Sequence, residues 1–401
     1  MNPARPISGY TADQLIDRLA RARGRLRALI DCLPIGGWLG PRAGHLNPPL
    51  WEYGHIVWFQ ERWCLRQRPD GTRASSLLPG ADALYDSSSV AHDTRWDLPL
   101  PEIAAVDDYA ERVAEAVAAR LRNAFTHELA YFAELCRYHE LMHIEAWWMA
   151  FQDLGYAPPA RPDVAGALSA QRLLIDAGEA TLGSGRDAGF IFDNEKWSHT
   201  VAVAAFDIDA SPVSETAFAE FVEAGGYQHR AGWSEAGWAW RQASDARYPL
   251  YWKQANGGWQ VRRFDRWWPL SAAAPMLHVN RFEAEAFAAW RGRRLPTAAQ
   301  WLRAVAHPDF HWGKGWEWLR DPFAPYPGFA PDPYHDYSAP WFHTHGELRG
   351  GGPVTDPSLK RPGFRNFYLP ERRDPFAGFR TASPGQDSAA GHRHEAQDFL
   401  R

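Results

Sequence analysis

The chain has 401 residues, a length that suggests two or three domains with room for a sizeable core, and its 43 basic against 48 acidic side chains argue against a broad nucleic-acid footprint. Three cysteines, Cys32, Cys64 and Cys136, are too few and too scattered for a disulfide framework or a thiolate zinc cluster. The N-terminus MNPARPISGY has no apolar h-region and no apolar run approaches the ~18 residues of a membrane span, so a soluble protein of the reducing cytoplasm, without membrane or nucleic-acid partner, is expected.

In chain order, residues 1–160 read as a helical unit. Thr11 and Gln14 have capping-box spacing, and Leu15, Leu19, Leu26, Leu29, Ile30 and Leu33 recur at helical intervals after them. A second helix opens after Asn47 with Pro48 and Pro49 and runs through LWEYGHIVWFQERWCLRQ. Residues 71–99 carry turn residues without a period and read as a long connection. A third helix follows Pro101, and the fourth spans about 127–154, which makes a four-helix bundle with one long crossover.

Composition changes at YAPPARPDVAG, and beyond it short apolar stretches alternate with Gly, Pro and Trp. Three short helices stand out: 214–223, which stops at Gly225-Gly226, one from Asn280 with Glu283, and one from Thr297 with Gln300. The expectation for 161–383 is an irregular α+β domain, with 384–401 a polar tail. The 21 Trp, 14 Tyr and 21 Phe suit either a loop-rich core built on large rings or a ring-lined pocket for a cation.

Chemistry concentrates in the fourth helix, at His139-Glu140-Leu141-Met142-His143-Ile144-Glu145. Residues four apart share a helix face, so His139 and His143 can converge on one ion, with Glu145 available to orient a ligand. The same run satisfies H-E-x-x-H, in which Glu140 would be the general base of a zinc hydrolase. On the second helix, His55 precedes three apolar residues. It is either a core histidine bonded to backbone or the third ligand of a three-imidazole face, which leaves open positions suited to zinc hydrolysis or iron–oxygen chemistry.

The run Trp-Glu-x-Gly-His-Ile-x-Trp-Phe-Gln-Glu at 51–61 and His-x3-His-x-Glu at 139–145 resemble the DinB-type half of ergothioneine sulfoxide synthases. The second half resembles the formylglycine-generating-enzyme fold, related to C-type lectins. Its matching stretches are 190–195 (FIFDNE), 221–227 (FVEAGGY), 294–297 (RLPT), 316–318 (WEW), 348–351 (LRGG), 365–367 (RNF) and 376–380 (FAGFR). The resemblance runs in order over nearly the whole chain. It implies an α+β, two-domain protein in which His55, His139 and His143 hold a mononuclear Fe(II). O2 would be the co-substrate, and a chalcogen would be attached to the imidazole of hercynine, a trimethylated histidine.

It also implies that Asn366 and its neighbour Phe367 help to hold hercynine, whose fixed quaternary ammonium suits an aromatic wall. No Cys follows Cys136, so the copper-binding cysteines of true formylglycine-generating enzymes have no counterpart, and the second half is expected to serve as a substrate scaffold. Met142 stands where ergothioneine synthases place a Gln, and Tyr368 where they place an Asp that holds the amino-acid thiol; Arg372 keeps the nearby arginine. The linker 85–97 also lacks their arginine-rich pattern. These departures resemble selenoneine synthases, which join a selenosugar to hercynine. The loop at about 326–337 matches the one that carries a catalytic tyrosine, with Tyr334 and Tyr337 as candidates, Tyr337 for catalysis and Tyr334 for substrate contact. His335, His343 and His345 read as rim residues.

Overall fold

The Thr11 hydroxyl accepts a hydrogen bond from the Gln14 amide while the Gln14 side-chain oxygen accepts one from the Thr11 amide, and this reciprocal cap starts α1 (Ala12–Ile30). Pro49 begins α2 (Pro49–Cys64), where a missing N–H costs nothing. The structure is a computed structural model that describes residues 9–383 apart from 69, 70, 165, 167 and 256. The polar tail expected at 384–401 lies outside the described residues.

The segment 71–99, expected to be a long connection, contains two short helical pieces, α3 (Ala81–Tyr85) and a 3-10 turn at His92–Thr94. They are too short to show a period in sequence, and α3 is held by tertiary contacts. The Trp58 indole and the Arg66 guanidinium both donate to Asp82, at 2.7 Å. Gly54 of α2 makes room for Tyr85, since a Cβ there would lie 2.3 Å from the tyrosine ring.

The bundle is completed by α4 (Ile103–Asn123) and α5 (His127–Leu154). Thr126 caps α5 by accepting from the Leu129 amide, and Gly155, at φ 69°, closes it in the left-handed conformation. Both α1 and α2 pack on α4 and on α5. Here α1 and α4 each bury one face, whereas α2 and most of α5 are buried all round. Such burial forces their polar side chains to pair: Glu134 takes both nitrogen donors of Arg18 at 2.9 Å, and Arg23 does the same for Glu140 at 2.6 and 3.2 Å. Among the described residues no helix is long and apolar enough to cross a membrane.

The chain divides after Ala160 into two compact units. The second is α+β. The ribbons β1 (Arg172–Ile175) with β4 (Phe206–Asp209) and β2 (Gly178–Leu182) with β3 (His199–Val203) are antiparallel. After α6 (Glu215–Glu223) comes a helix the sequence reading lacked, α7 (Glu235–Ser244). Ser234 caps it, but of its ten residues only Gly237 is buried, so it has no apolar stripe to reveal it.

A meander of β5 (Trp252–Ala255), β6 (Gly258–Arg263) and β7 (Arg266–Pro269) follows, then α8 (Arg281–Trp290) and α9 (Ala298–Ala304). Asn280 with Glu283 and Thr297 with Gln300 form the two capping boxes expected. The largest sheet runs β10 (Asn366–Tyr368), β9 (Gly346–Arg349), β8 (Trp316–Pro322), β11 (Ala377–Gly378), with β11 parallel to β8. Trp301, Leu319, Ile208 and Phe206 centre the core.

Candidate metal centre

Glu52 and His55 lie three residues apart on α2, and His139 and His143 four apart on α5, so each pair shares a helix face, and the two helices pack together. One ring nitrogen from each of His55, His139 and His143 lies within 4.8 Å of the other two. The Nε2 atoms of His139 and His143 are 3.2 Å apart. With metal–nitrogen bonds of about 2.1 Å, that separation subtends an angle of about 100°, within the range of tetrahedral and octahedral sites.

The outer contacts set which nitrogen of each ring keeps its lone pair. The carbonyl of Tyr85 can only accept, so His55 donates to it from Nδ1 across 2.8 Å and presents Nε2 as a base. His143 Nδ1 meets Glu52 Oε1 at 2.5 Å, which leaves its Nε2 for coordination and makes the ring a stronger donor. Burial pushes His55 and His139 well below the usual imidazole range, so both rings are neutral, the form that binds metal. His55 stacks on Trp51 at 4.9 Å and His139 on Phe59 at 3.7 Å, which fixes both rings, while His143 is the partly exposed member. The donor set therefore suits a divalent transition ion.

The sequence offered Glu145 as a carboxylate that could orient a ligand; Glu145 is buried on α5, and Glu52, which the sequence reading did not name for that role, contacts His143. The signal for Glu52 was its place three residues before His55. The Tyr85 carbonyl carried no signal, because it comes from the segment read as a connection. Glu140 has both oxygens clamped by Arg23, so it is committed to holding α1 and not placed as a free general base. Met142 is half-buried beside His143.

Met142 apart, the expected substrate residues lie in the second unit. Tyr337 stacks on Phe192 at 4.1 Å, meets the edge of Phe367 at 5.9 Å, and neighbours Tyr334 at 6.1 Å. Burial pushes its phenol well above the usual range. Asn366 and Tyr368 sit on β10, with Asn366 accepting from the Phe367 amide at 2.9 Å. The Arg372 guanidinium lies 5.5 Å over the Tyr368 ring and forms a two-pronged ion pair with Asp374. His335 and His343 are exposed and His345 is half-buried.

A helical bundle carrying a three-histidine face, joined to an α+β unit, defines the class of protein. Residues 18–147 match the DinB superfamily and residues 161–315 match the sulfatase-modifying factor enzyme 1-like domain. A hercynine oxygenase of Mycobacterium tuberculosis is 30% identical over 422 residues, covering 92% of this chain and 98% of that one. A hercynine oxygenase of Mycolicibacterium smegmatis is 31% identical over 433 residues with the same coverage. A formylglycine-generating enzyme of Streptomyces coelicolor is 30% identical over 173 residues, covering 39% of this chain and 53% of its own length. The chain belongs to the hercynine oxygenase family.

Proposed function

We propose that the chain is an iron-dependent enzyme that uses O2 to join hercynine to a chalcogen donor, and that this donor is a selenosugar. The observation that carries the reading is the three-imidazole cluster, with two of its tautomers fixed by Tyr85 and Glu52. Three imidazole nitrogens would hold Fe(II) and leave coordination positions open; when bound, the iron supplies activation of O2. The family relatives named hercynine oxygenases support hercynine as the acceptor.

Among this chain's own residues, the rings of Tyr334, Tyr337 and Phe367 offer an aromatic surface to a quaternary ammonium, and Asn366 offers an amide to a carboxylate or imidazole. Tyr337, with its proton held firmly by burial, is suited to stay protonated and to offer its hydroxyl as a hydrogen-bond donor. The selenosugar assignment rests on what would face the donor. Tyr368 replaces a carboxylate that would attract an ammonium, and Arg372 is already neutralised by Asp374. A neutral, hydroxyl-rich molecule needs neither charge, and an amino-acid zwitterion loses on the order of 1–3 kcal/mol for each charge-assisted contact absent.

The alternative donor is an amino-acid thiol such as cysteine or γ-glutamylcysteine, for which retention of Arg372 is the supporting feature. Competition decides between them: hercynine, O2 and equal concentrations of selenosugar, thiosugar, cysteine and γ-glutamylcysteine. Selenosugar should have the largest kcat/KM. The thiosugar should also exceed cysteine, a control that holds the chalcogen constant because selenolates are better nucleophiles in almost any site. A larger kcat/KM for either amino-acid thiol would replace the selenium reading with the sulfur one. Consumption of none of these with hercynine would remove both.

A further inference from the structure

Cys64 and Cys136 are 72 residues apart in the chain, and the bundle brings their sulfurs to 3.7 Å. Both are buried, and both are free thiols. Cys64 is the last residue of α2, the helix of His55, and Cys136 lies one turn before His139 on α5. The Cys136 sulfur also approaches the carbonyl of Phe59 at 3.8 Å, the residue whose ring stacks on His139. The pair thus sits between the two helices that supply all three imidazoles.

We infer that Cys64 and Cys136 are a modification site: a buried dithiol that hydrogen peroxide oxidises to a disulfide between α2 and α5. A sulfur–sulfur bond of about 2.05 Å requires the sulfurs to close by about 1.7 Å, and the position of Cys64 at a helix end makes it the easier partner to move. In the first step the thiolate of one cysteine attacks a peroxide oxygen, the O–O bond breaks, and one water leaves after protonation. The second sulfur then displaces the oxygen of the sulfenic acid as a second water. Two thiols and one hydrogen peroxide become one disulfide and two waters, with two electrons passing from sulfur to oxygen.

Burial selects the oxidant, because peroxide is close to water in size whereas a glutathione disulfide is not. Burial also pushes the Cys136 thiol well above its usual range, so that thiol is slow to react at rest. Once formed, the bond constrains the distance between α2 and α5, and with it the spacing of His55 from His139 and His143.

The test uses the full-length protein, reduced and then exposed to a small excess of hydrogen peroxide, with thiols alkylated after denaturation. The reduced chain should show three alkylatable thiols, one for each cysteine in the sequence. The oxidised chain should show Cys32 alone, be lighter by two hydrogens, and yield a peptide linking Cys64 to Cys136 that dithiothreitol separates. Cys64→Ser should give no such product. Three thiols surviving treatment, or oxygen added separately to the two cysteines without a linking peptide, would overturn the inference. The measurement reads sulfur only, so its failure leaves the proposed activity standing, and failure of that activity leaves the dithiol standing.

Discussion

In the α+β unit, Glu317 accepts from Arg380 at 2.5 and 2.8 Å and from the Trp301 indole at 3.0 Å, while Glu347 lies between Arg349 and Arg365. Both of these buried carboxylates end on opposite charges. In the bundle, Glu134 and Glu140 are closed off in the same way by arginines. His55, His139 and His143 are built on another plan, because three like bases turn toward one another inside a mostly buried wall. Closed pairs are scaffolding: they satisfy themselves and ask for nothing further. Convergent neutral bases gain from a cation placed among them, and this difference separates site from framework when both are buried and polar.

The comparison can be broken most forcefully in the scaffold. Arg380→Ala leaves the Glu317 carboxylate buried without its partner and should cost about 3–5 kcal/mol of stability, read by urea denaturation. Metal content per folded chain should not change, and a drop in metal without a drop in stability would undo the division between framework and site.

Asp193 sharpens the comparison within the second unit. It accepts from Ser338 Oγ at 2.5 Å, yet burial pushes its carboxyl up to about 6. A carboxyl raised above its unfolded value binds its proton more tightly in the folded chain. The destabilisation is absent below about pH 4, grows as pH rises through 6, and is complete above it. Asp193→Asn should flatten the pH dependence of stability between pH 4 and 7, a difference of at most about 3 kcal/mol. An unchanged slope would mean that Asp193 is ionised in the folded chain at ordinary cost.

The smallest effect is expected at Glu52, which touches the site through His143 alone. Glu52→Gln keeps the size and an acceptor oxygen but removes the charge, and should weaken metal binding about 10–100-fold, or about 1.4–2.8 kcal/mol, in a chelator competition. No change in affinity would make the Glu52–His143 contact a packing feature.

Local signals were legible in the sequence where they act within one turn. The caps at Thr11, Asn280 and Thr297 need only a partner three residues on, and His139 with His143 need only a helix to share a face. The α+β character of the second unit followed from short apolar runs between Gly and Pro. What could not be read depends on distant chain: the Tyr85 carbonyl meets His55 across 30 residues, and Cys64 meets Cys136 across 72. The helix α7 was missed because it buries little and so leaves no period. Glu145 could be named because it sits beside the histidine motif, whereas Glu52 reaches His143 from the neighbouring helix, a contact that no spacing within α5 signals.

The most direct test of the metal assignment is metal analysis of the protein reconstituted anaerobically with Fe(II), alongside His55→Ala, His139→Ala and His143→Ala. The account predicts about one iron per chain in the parent protein and less than about a tenth in each variant, with helical circular dichroism retained. Full iron occupancy in the three variants would contradict it and place the metal, if any, elsewhere in the chain.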